Sequence, residues 1–252
     1  MEGSYALHNP ALLMAIDGIG TGVILCGGRG TRLQEHSRSI PKPLVEIGGR
    51  PILWHVIQIY AVQGVRRFIL CTGYQGEAIE GFVAGADLGE LSVECVATGD
   101  DTPTGGRVRR AAERIGPGTF WLTYADGVAD IALADLAAHH RAHGCLATMT
   151  VVRPELPFGV TELGSDSQVV GFREKPRSQH WVNGGFFCLE DGVFDYLTDS
   201  TVLEREALEG LAGDGQLRAY RHTGFWECMD TYKDAARLED LWREGRAPWR
   251  MW

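Results

Sequence analysis

The sequence predicts an α/β fold in which a mixed, mostly parallel sheet is flanked by helices and followed by a strand-rich part. Two observations support this prediction. Apolar, β-branched runs alternate with segments of helical periodicity through the first 152 residues, a pattern typical of a parallel sheet covered by helices. After residue 158 the alternation ends, and short runs between turn residues indicate closely spaced strands.

The elements of the first half follow one another in a regular order. The strand at 21–26 is an apolar run that stops at two glycines, and the helix at 51–63 starts at a proline, which is favoured in a first turn. Ile52, Val56 and Ile59 fall on one face of that helix. The alternation continues through strands at 66–72, 91–97, 120–126 and 147–152 and helices at 76–84, from about 106, and at 133–142.

The second half is expected to shape a separate pocket. Its last helix starts at Thr231, because Asp234 three places later completes a capping-box pattern. No low-complexity linker separates the halves, so we expect a single domain over 21–252, with halves at 21–152 and 153–252 and an N-terminal extension at 1–20. Before the last helix, the expected elements are strands at 159–163, 168–175 and 181–189, a helix at 203–211 and a strand at 217–222.

Composition excludes several classes of function. The chain has 24 basic and 33 acidic residues, a formal net charge of −9 and no long cationic run, so nucleic acids and membranes are not expected partners. No apolar segment reaches membrane-spanning length, and no basic residue precedes the apolar run at 11–16, so a secretory leader is not expected. Six scattered cysteines without metal-type spacing fit a reducing cytoplasm. His139, His140 and His143 are expected on a solvated helix face rather than in a metal site.

The stretch VILCGGRGTRL, residues 23–33, predicts a loop that binds a phosphate. Its glycines let backbone N–H groups approach a ligand, and its arginines indicate that the ligand is anionic. The chain has no Gly-Lys pair for a Walker loop, and Leu33 stands where a dinucleotide-binding loop needs a small residue. The loop should lie at the carboxyl end of the sheet, where open α/β folds bind ligands; an ordinary strand-to-helix turn is the alternative.

Charged side chains follow at three further places. Lys42 lies between two prolines and is presented from a stiff loop, either toward a ligand or into solvent. Asp126 ends an apolar strand, and Asp130 is expected to cap the next helix. Asp230 lies between a strand-like run and the last helix, so it either flanks that helix or joins the site. Carboxylates at a sheet edge suit Mg²⁺ together with substrate phosphates.

Two loops can supply recognition groups. The segment TGDDTPTGGRVRR offers backbone donors and acceptors, small hydroxyl residues and Arg107, which suit the edge of a nucleobase; a flexible surface loop is the competing interpretation. The segments FREKPR and VNGGFF contain Glu174, Lys175 and Asn183. Lysine suits a phosphate, and Asn and Glu suit sugar hydroxyls.

Together these motifs resemble the sugar-nucleotide pyrophosphorylase family, and within it the glucose-1-phosphate cytidylyltransferases. GGRGTRL, PKPL and the two aspartates mark the family, while TGDDTPTGGR, TYADGVAD, EKP, VNGGFF and GFWECMDT carry the closer likeness. The resemblance covers almost all of 21–252. It implies a Rossmann-like fold of the nucleotide-diphospho-sugar transferase type, Mg²⁺, CTP (or another NTP), a sugar-1-phosphate such as α-D-glucose-1-phosphate, and a homo-oligomer of unknown order.

The resemblance also implies a role for each matching residue. The expected catalytic residues are Arg32, Lys42, Asp126, Lys175 and Asp230, of which Asp126 and Asp230 would hold the metal. The expected nucleotide-binding residues are Cys26, Gly27, Gly28, Gly30, Thr31, Thr104, Gly105, Gly106 and Arg107. The expected sugar-phosphate-binding residues are Gly159, Glu174, Lys175, Asn183, Gly184 and Trp226.

One departure keeps alternatives open. The connection between residues 82 and 98 is short, whereas the cytidylyltransferases that the chain resembles have a long insertion there. A different acceptor, such as a modified sugar phosphate or a phosphonate, is one alternative, and another NTP is a second. An inactive nucleotide-binding regulatory subunit would have lost charged site residues, and a kinase would not release pyrophosphate.

Overall fold

A seven-stranded sheet forms the centre of the computed structural model, which describes residue 16 and residues 18–29 and 40–252. The strands are β1 (Thr21–Leu25), β2 (Glu46–Ile47), β3 (Arg50–Pro51), β4 (Arg67–Thr72), β5 (Ser92–Ala97), β6 (Phe120–Tyr124), β7 (Gly127–Ala129), β8 (Ala147–Val152), β9 (Val160–Leu163), β10 (Val169–Arg173), β11 (Val182–Leu189), β12 (Leu217–Arg221) and β13 (Trp226–Cys228). The helices are α1 (Ile52–Ala61), α2 (Gly76–Gly85), α3 (Thr104–Arg110), α4 (Ala112–Ile115), α5 (Leu133–His143), α6 (Leu208–Gly213) and α7 (Tyr232–Arg243).

The central sheet is mixed and mostly parallel, which confirms the predicted fold class. Its strand order is β12-β8-β11-β6-β1-β4-β5, and β11 alone runs antiparallel to its neighbours. The chain moves outward from β1 to β4 and β5, then returns to place β6 on the other side of β1. This reversal creates a crevice at the carboxyl ends of β1 and β6, where doubly wound folds bind ligands.

Helices cover both faces of the sheet because successive strand residues point to opposite sides. In β1, Ile24 packs with the core under α1, α2, α5 and α7, whereas Val23 and Leu25 pack with the core under α3, α4 and α6. The end of the predicted N-terminal extension joins the first core. Ile16 and Ile19 are buried there, and the Ile19 carbonyl accepts a hydrogen bond from the indole of Trp121 at 2.9 Å.

A short antiparallel ladder, which the sequence did not predict, connects the two halves. It pairs β7 with β13, so that Cys228 lies opposite Gly127. The ladder occupies the segment in which Asp130 was expected to cap a helix. That prediction is wrong: α5 begins later, after Ala132, and Asp130 lies 3.0 Å from the imidazole of His222. The predicted cap of α7 is confirmed, since Thr231 and Asp234 form both hydrogen bonds of a capping box.

The histidine cluster on α5 is not on a solvated face, contrary to the prediction. His140 is buried, and its ring nitrogens lie 2.7 Å from the Thr148 hydroxyl and 3.1 Å from a Glu190 oxygen. His143 also contacts Thr148, at 2.7 Å. The cluster therefore attaches α5 to the sheet and serves packing.

All six cysteines are free, and no helix in the described part of the chain has the length and apolar character needed to cross a membrane.

A buried histidine holds the C-terminal segment against α1. His55 is surrounded by Trp54, Trp242, Trp249 and Trp252. Its Nε2 lies 2.8 Å from the Ile47 carbonyl and its Nδ1 accepts from the Trp249 indole at 3.3 Å, so the ring is neutral with its proton on Nε2. Burial lowers the pKa of His55 from 6.5 to about 4.

We expect acid to destabilise the protein through His55. A histidine whose pKa is lowered by folding binds its proton more readily in the unfolded chain, so the stabilisation is complete above pH 6.5 and is lost as the pH falls toward about 4. The full effect is about 3 kcal/mol in the free energy of unfolding. Urea denaturation at a series of pH values measures it. His55→Gln should remove the share of His55 and so reduce this acid dependence, whereas His180→Asn, at an exposed histidine, should leave it unchanged.

Candidate functional site

The centre of the site is a lysine shared by two carboxylates at the carboxyl edge of the sheet. The Lys42 ammonium group donates to Asp126 Oδ2 at 2.5 Å and to Asp230 Oδ1 at 2.7 Å. Lys42 begins a short 3-10 turn between two prolines, Asp126 follows β6, and Asp230 precedes α7. The β7–β13 ladder brings the two aspartates together, because it pairs the residues that directly follow Asp126 with those that precede Asp230.

The charges in this cluster compensate one another. Burial acts to lower the pKa of the Lys42 ammonium group, but Asp126 and Asp230 outweigh it and raise that pKa above its usual value. The Cys228 thiol lies beside the carboxylates, and burial, with the charge of Asp126, raises its pKa well above the ordinary range. The thiol therefore stays protonated, and the cluster presents oxygen atoms as its charged acceptors.

These carboxylates fit a divalent cation. The side-chain ligand atoms of Asp126, Cys228 and Asp230 all lie within 4.8 Å of one another, and they form the single such group among the described residues. Both carboxylates already hold one cationic atom at hydrogen-bonding distance. A hard cation that takes oxygen ligands could occupy this position once the ammonium group moves away.

A cavity of about 560 Å³, which we call the glycine-loop cavity, opens beside this cluster. Its lining combines the loop after β1, the segment before and within α3, and the cluster itself. Of the predicted residues it brings together Cys26, Gly27, Gly28, Lys42, Thr104, Arg107, Asp126 and Asp230.

A second cavity, of about 480 Å³, lies at the ends of β8 and β12 and beside β13; we call it the Trp226 cavity. Lys175 and Trp226 line it, and the Trp226 indole donates to the Gly184 carbonyl at 2.7 Å. Its charged lining residues are Arg153, Glu155, Lys175, Arg177 and Arg237. Four cations and one carboxylate make this wall positive, although the chain as a whole has a net charge of −9.

The remaining predicted residues that the structure describes do not line either cavity. Gly105 and Gly106 lie in the first turn of α3, where added side chains would meet the backbone of Thr201 and Asp199 at 2.8 and 2.2 Å. Asn183 accepts from the Gly185 N–H at 2.8 Å and so shapes the start of β11. Gly159 and Glu174 neighbour each other, because a Cβ on Gly159 would lie 3.0 Å from a Glu174 oxygen. Gly30, Thr31 and Arg32 lie outside the described residues.

The lining residues of the glycine-loop cavity that were not predicted include three with polar side chains close to the cluster or to one another: Tyr124, Glu204 and Cys228. Glu204 accepts from the Tyr124 hydroxyl at 2.5 Å and from the Thr104 hydroxyl at 2.6 Å, and burial raises the pKa of Tyr124. Tyr124 could have been identified from its place at the end of β6, the strand that Asp126 follows. No sequence feature marked Glu204 as a site residue, since it lies in a segment that resembles an ordinary helix.

Comparison with known proteins gives consistent matches over most of the chain. Residues 21–236 match the protein-family model described as nucleotidyl transferase. A "Probable glucose-1-phosphate cytidylyltransferase" of Bacillus subtilis is 41% identical over 252 residues, which cover 91% of this chain and 99% of that protein. The glucose-1-phosphate cytidylyltransferase of Salmonella typhimurium is 42% identical over 254 residues, covering 91% and 98%. A crystal structure of a UDP-glucose pyrophosphorylase complexed with UDP-glucose shares the fold, with a TM-score of 0.71 at 15% identity over 90% of this chain and 100% of that one.

Proposed function

This chain belongs to the nucleotidyl transferase family, and on that basis we propose that it joins CTP to α-D-glucose-1-phosphate, giving CDP-glucose and pyrophosphate. The chain is a nucleotidyltransferase, and the choice of CTP and glucose-1-phosphate is supported by relatives of that activity at 41% and 42% identity. The structural observation that carries the proposal is the cluster of Lys42, Asp126 and Asp230 beside β13, a strand that contributes to both cavities.

The reaction needs neutralisation of charge more than proton transfer. A phosphate oxygen of the sugar phosphate attacks the α-phosphorus of CTP in line, and the bond to the bridging oxygen of the departing pyrophosphate breaks. Both reactants are anions, so the protein must hold them in place and offset their charge. Lys42 would neutralise the reacting phosphate. Asp126 and Asp230 would hold Mg²⁺, which supplies further positive charge at the phosphates.

The glycine-loop cavity is the proposed nucleotide site. Gly27 and Gly28 present backbone to the cavity, and Thr104 also lines it, with its hydroxyl group donating to Glu204 at 2.6 Å. Such groups can read the polar edge of a base while leaving room for its flat face. Lys42, Asp126 and Asp230 line the same cavity, as the phosphates of a bound nucleotide would require.

The Trp226 cavity is the proposed site of the sugar phosphate. Lys175 lines it with a side chain that is 43% exposed, so a phosphate can approach its ammonium group. Lys175 precedes a proline and has a φ of 44°, an unusual backbone conformation for a residue other than glycine. Strain of this kind often occurs where a structure fixes the direction of a functional side chain.

Lys175→Ala should raise the KM for glucose-1-phosphate about tenfold or more and change the KM for CTP much less, because a charge-assisted hydrogen bond to one substrate is lost. Initial rates with each substrate varied in turn measure this. Lys233→Ala, at an exposed lysine of α7, is the matched control and should leave both constants unchanged. Equal increases in the two constants for Lys175→Ala would contradict its placement.

Release of pyrophosphate tests the proposed function directly. The purified protein with Mg²⁺ is given CTP, UTP, dTTP, ATP or GTP, each combined with a panel of sugar-1-phosphates. We expect release with CTP and glucose-1-phosphate. Release of pyrophosphate with a different pair would support nucleotidyl transfer but contradict the proposed substrates. No release with any pair would overturn the proposal.

We also propose that the chain forms a homo-oligomer. The hairpin of β9 and β10 exposes apolar side chains to an unusual extent, among them Leu163 (67% exposed), Val170 (60%) and Phe172 (62%). Exposed apolar patches of this kind mark interaction surfaces. Light scattering of the purified protein measures the mass, and a single-chain mass at micromolar concentration would contradict this proposal.

A further inference from the structure

We propose that Arg107 is a positioning residue that holds Gly27 and Gly28, at the described start of the glycine loop, in their ligand-binding shape, and that its side chain does not read the nucleobase. This inference rests on the proposed function, since it concerns the same nucleotide site. It assigns to Arg107 a role different from the direct nucleotide contact expected from the sequence.

Arg107 joins three separate loops in the wall of the glycine-loop cavity. The residue lies in α3 and is 4% exposed. Its Nη2 donates to the carbonyls of Gly27 at 2.9 Å and Asp100 at 3.1 Å. Its Nη1 donates to the carbonyls of Thr72 at 3.1 Å and Gly99 at 2.8 Å. These acceptors follow or end β1, β4 and β5, so one guanidinium group fixes the carboxyl ends of three neighbouring strands.

All the acceptors of Arg107 are uncharged. Besides the four hydrogen bonds to carbonyl groups, Nη1 donates a fifth to the Thr98 hydroxyl at 2.8 Å. Burial lowers the pKa of Arg107 below its usual value. A buried cation is tolerated only when its donors are satisfied, so these loop carbonyls must keep pointing toward it.

This arrangement orients a backbone donor toward the ligand. In a planar trans peptide the carbonyl of one residue and the N–H of the next point in opposite directions. Because Arg107 holds the Gly27 carbonyl, the N–H of Gly28 is turned away from the guanidinium group. Gly28 lines the cavity, so its N–H is available to an acceptor on a bound nucleotide.

Two glycines leave the space that the guanidinium group fills. A Cβ on Gly27 would lie 2.0 Å from Arg107 Nη1, and a Cβ on Gly73 would lie 2.3 Å from the same atom. Gly27 also lines the glycine-loop cavity, so a substitution there could act directly on the ligand. Gly73 is not part of that lining, so Gly73→Ala disturbs Arg107 and its acceptor, the Gly99 carbonyl at 2.7 Å from the added Cβ, without adding an atom to the cavity.

The test is the dissociation constant of CTP and of UTP, measured by calorimetry without sugar phosphate, for the wild type, Arg107→Met, Gly73→Ala and the control Arg109→Met. Arg109 is the exposed neighbour on the same helix. We expect Arg107→Met and Gly73→Ala to raise the dissociation constants of CTP and UTP by about tenfold or more. The two constants should rise by similar factors, so that their ratio stays at the wild-type value. At saturating CTP, kcat should change by much less than the affinity.

Circular dichroism and thermal melting establish that each variant is folded at the assay temperature. If Gly73→Ala binds CTP as the wild type does while Arg107→Met does not, Arg107 contacts the nucleotide directly and the inference is wrong. A changed CTP:UTP ratio in Arg107→Met would also overturn it. If the wild type binds neither CTP nor UTP, the proposed function is contradicted, and this outcome is distinguishable from a failure of the inference on Arg107.

Discussion

Asp126→Asn will lower kcat by about a hundredfold or more while leaving the fold intact. Asn keeps the size of the side chain and can still accept the hydrogen bond from Lys42, but it removes half of the negative charge that the Lys42–Asp126–Asp230 cluster offers to a cation. Lys42 keeps Asp230 as a charged partner at 2.7 Å, so the replacement does not leave its largely buried ammonium group unpaired. Pyrophosphate release at saturating substrates measures the loss, and thermal melting measures the fold.

Asp195→Asn is the matched control, because Asp195 is exposed and distant in sequence from the cluster. It should keep the wild-type rate. Binding of Mn²⁺, detected by electron paramagnetic resonance, gives a second readout and should weaken in Asp126→Asn only. A wild-type rate in Asp126→Asn would remove this residue from the metal site.

Lys42→Met should have opposite effects on turnover and on metal binding by the free protein. We expect kcat to fall by about a hundredfold or more, because the reacting phosphate loses a neutralising charge. In the absence of substrates we expect Mn²⁺ to bind more tightly than to the wild type, because the ammonium group no longer occupies Asp126 and Asp230.

The chain offers a close control, since its only other lysine outside the proposed site is Lys233, which is exposed. Lys233→Met should change neither kcat nor Mn²⁺ affinity. If Mn²⁺ affinity in Lys42→Met equals that of the wild type, the ammonium group does not compete with the metal.

Local patterns predicted the sheet and most of its helices well. Apolar runs such as β1 and β6 are recognisable as strands from their sequence alone. The residues just after them, Gly27 and Asp126, lie at the carboxyl edge of the sheet, as predicted. The capping box of α7 depends on neighbours three places apart, so it could be identified without tertiary information. Such features are encoded within a few residues.

The rest depended on contacts between distant segments. β7 and β13 have three residues each, too few for a periodic signal, and each is stabilised by a partner about one hundred residues away. Missing that ladder led to the wrong role for Asp130. The same limit applies to His140, whose partner Glu190 directly follows β11, and to Arg107, whose acceptors come from three loops.

Because Lys42 is shared between two carboxylates that are distant in sequence, the order of synthesis on the ribosome decides when the site can form. Lys42 is separated from Asp126 by 84 residues and from Asp230 by 188 residues. Contacts between residues so far apart in sequence form late in folding, because closing the intervening loops costs conformational entropy. A nascent chain that has emerged only as far as β12 contains every strand of the seven-stranded sheet, yet it still lacks Asp230. Catalytic competence therefore arises in one of the last steps of synthesis, and incomplete chains that retain the nucleotide half have no complete metal site.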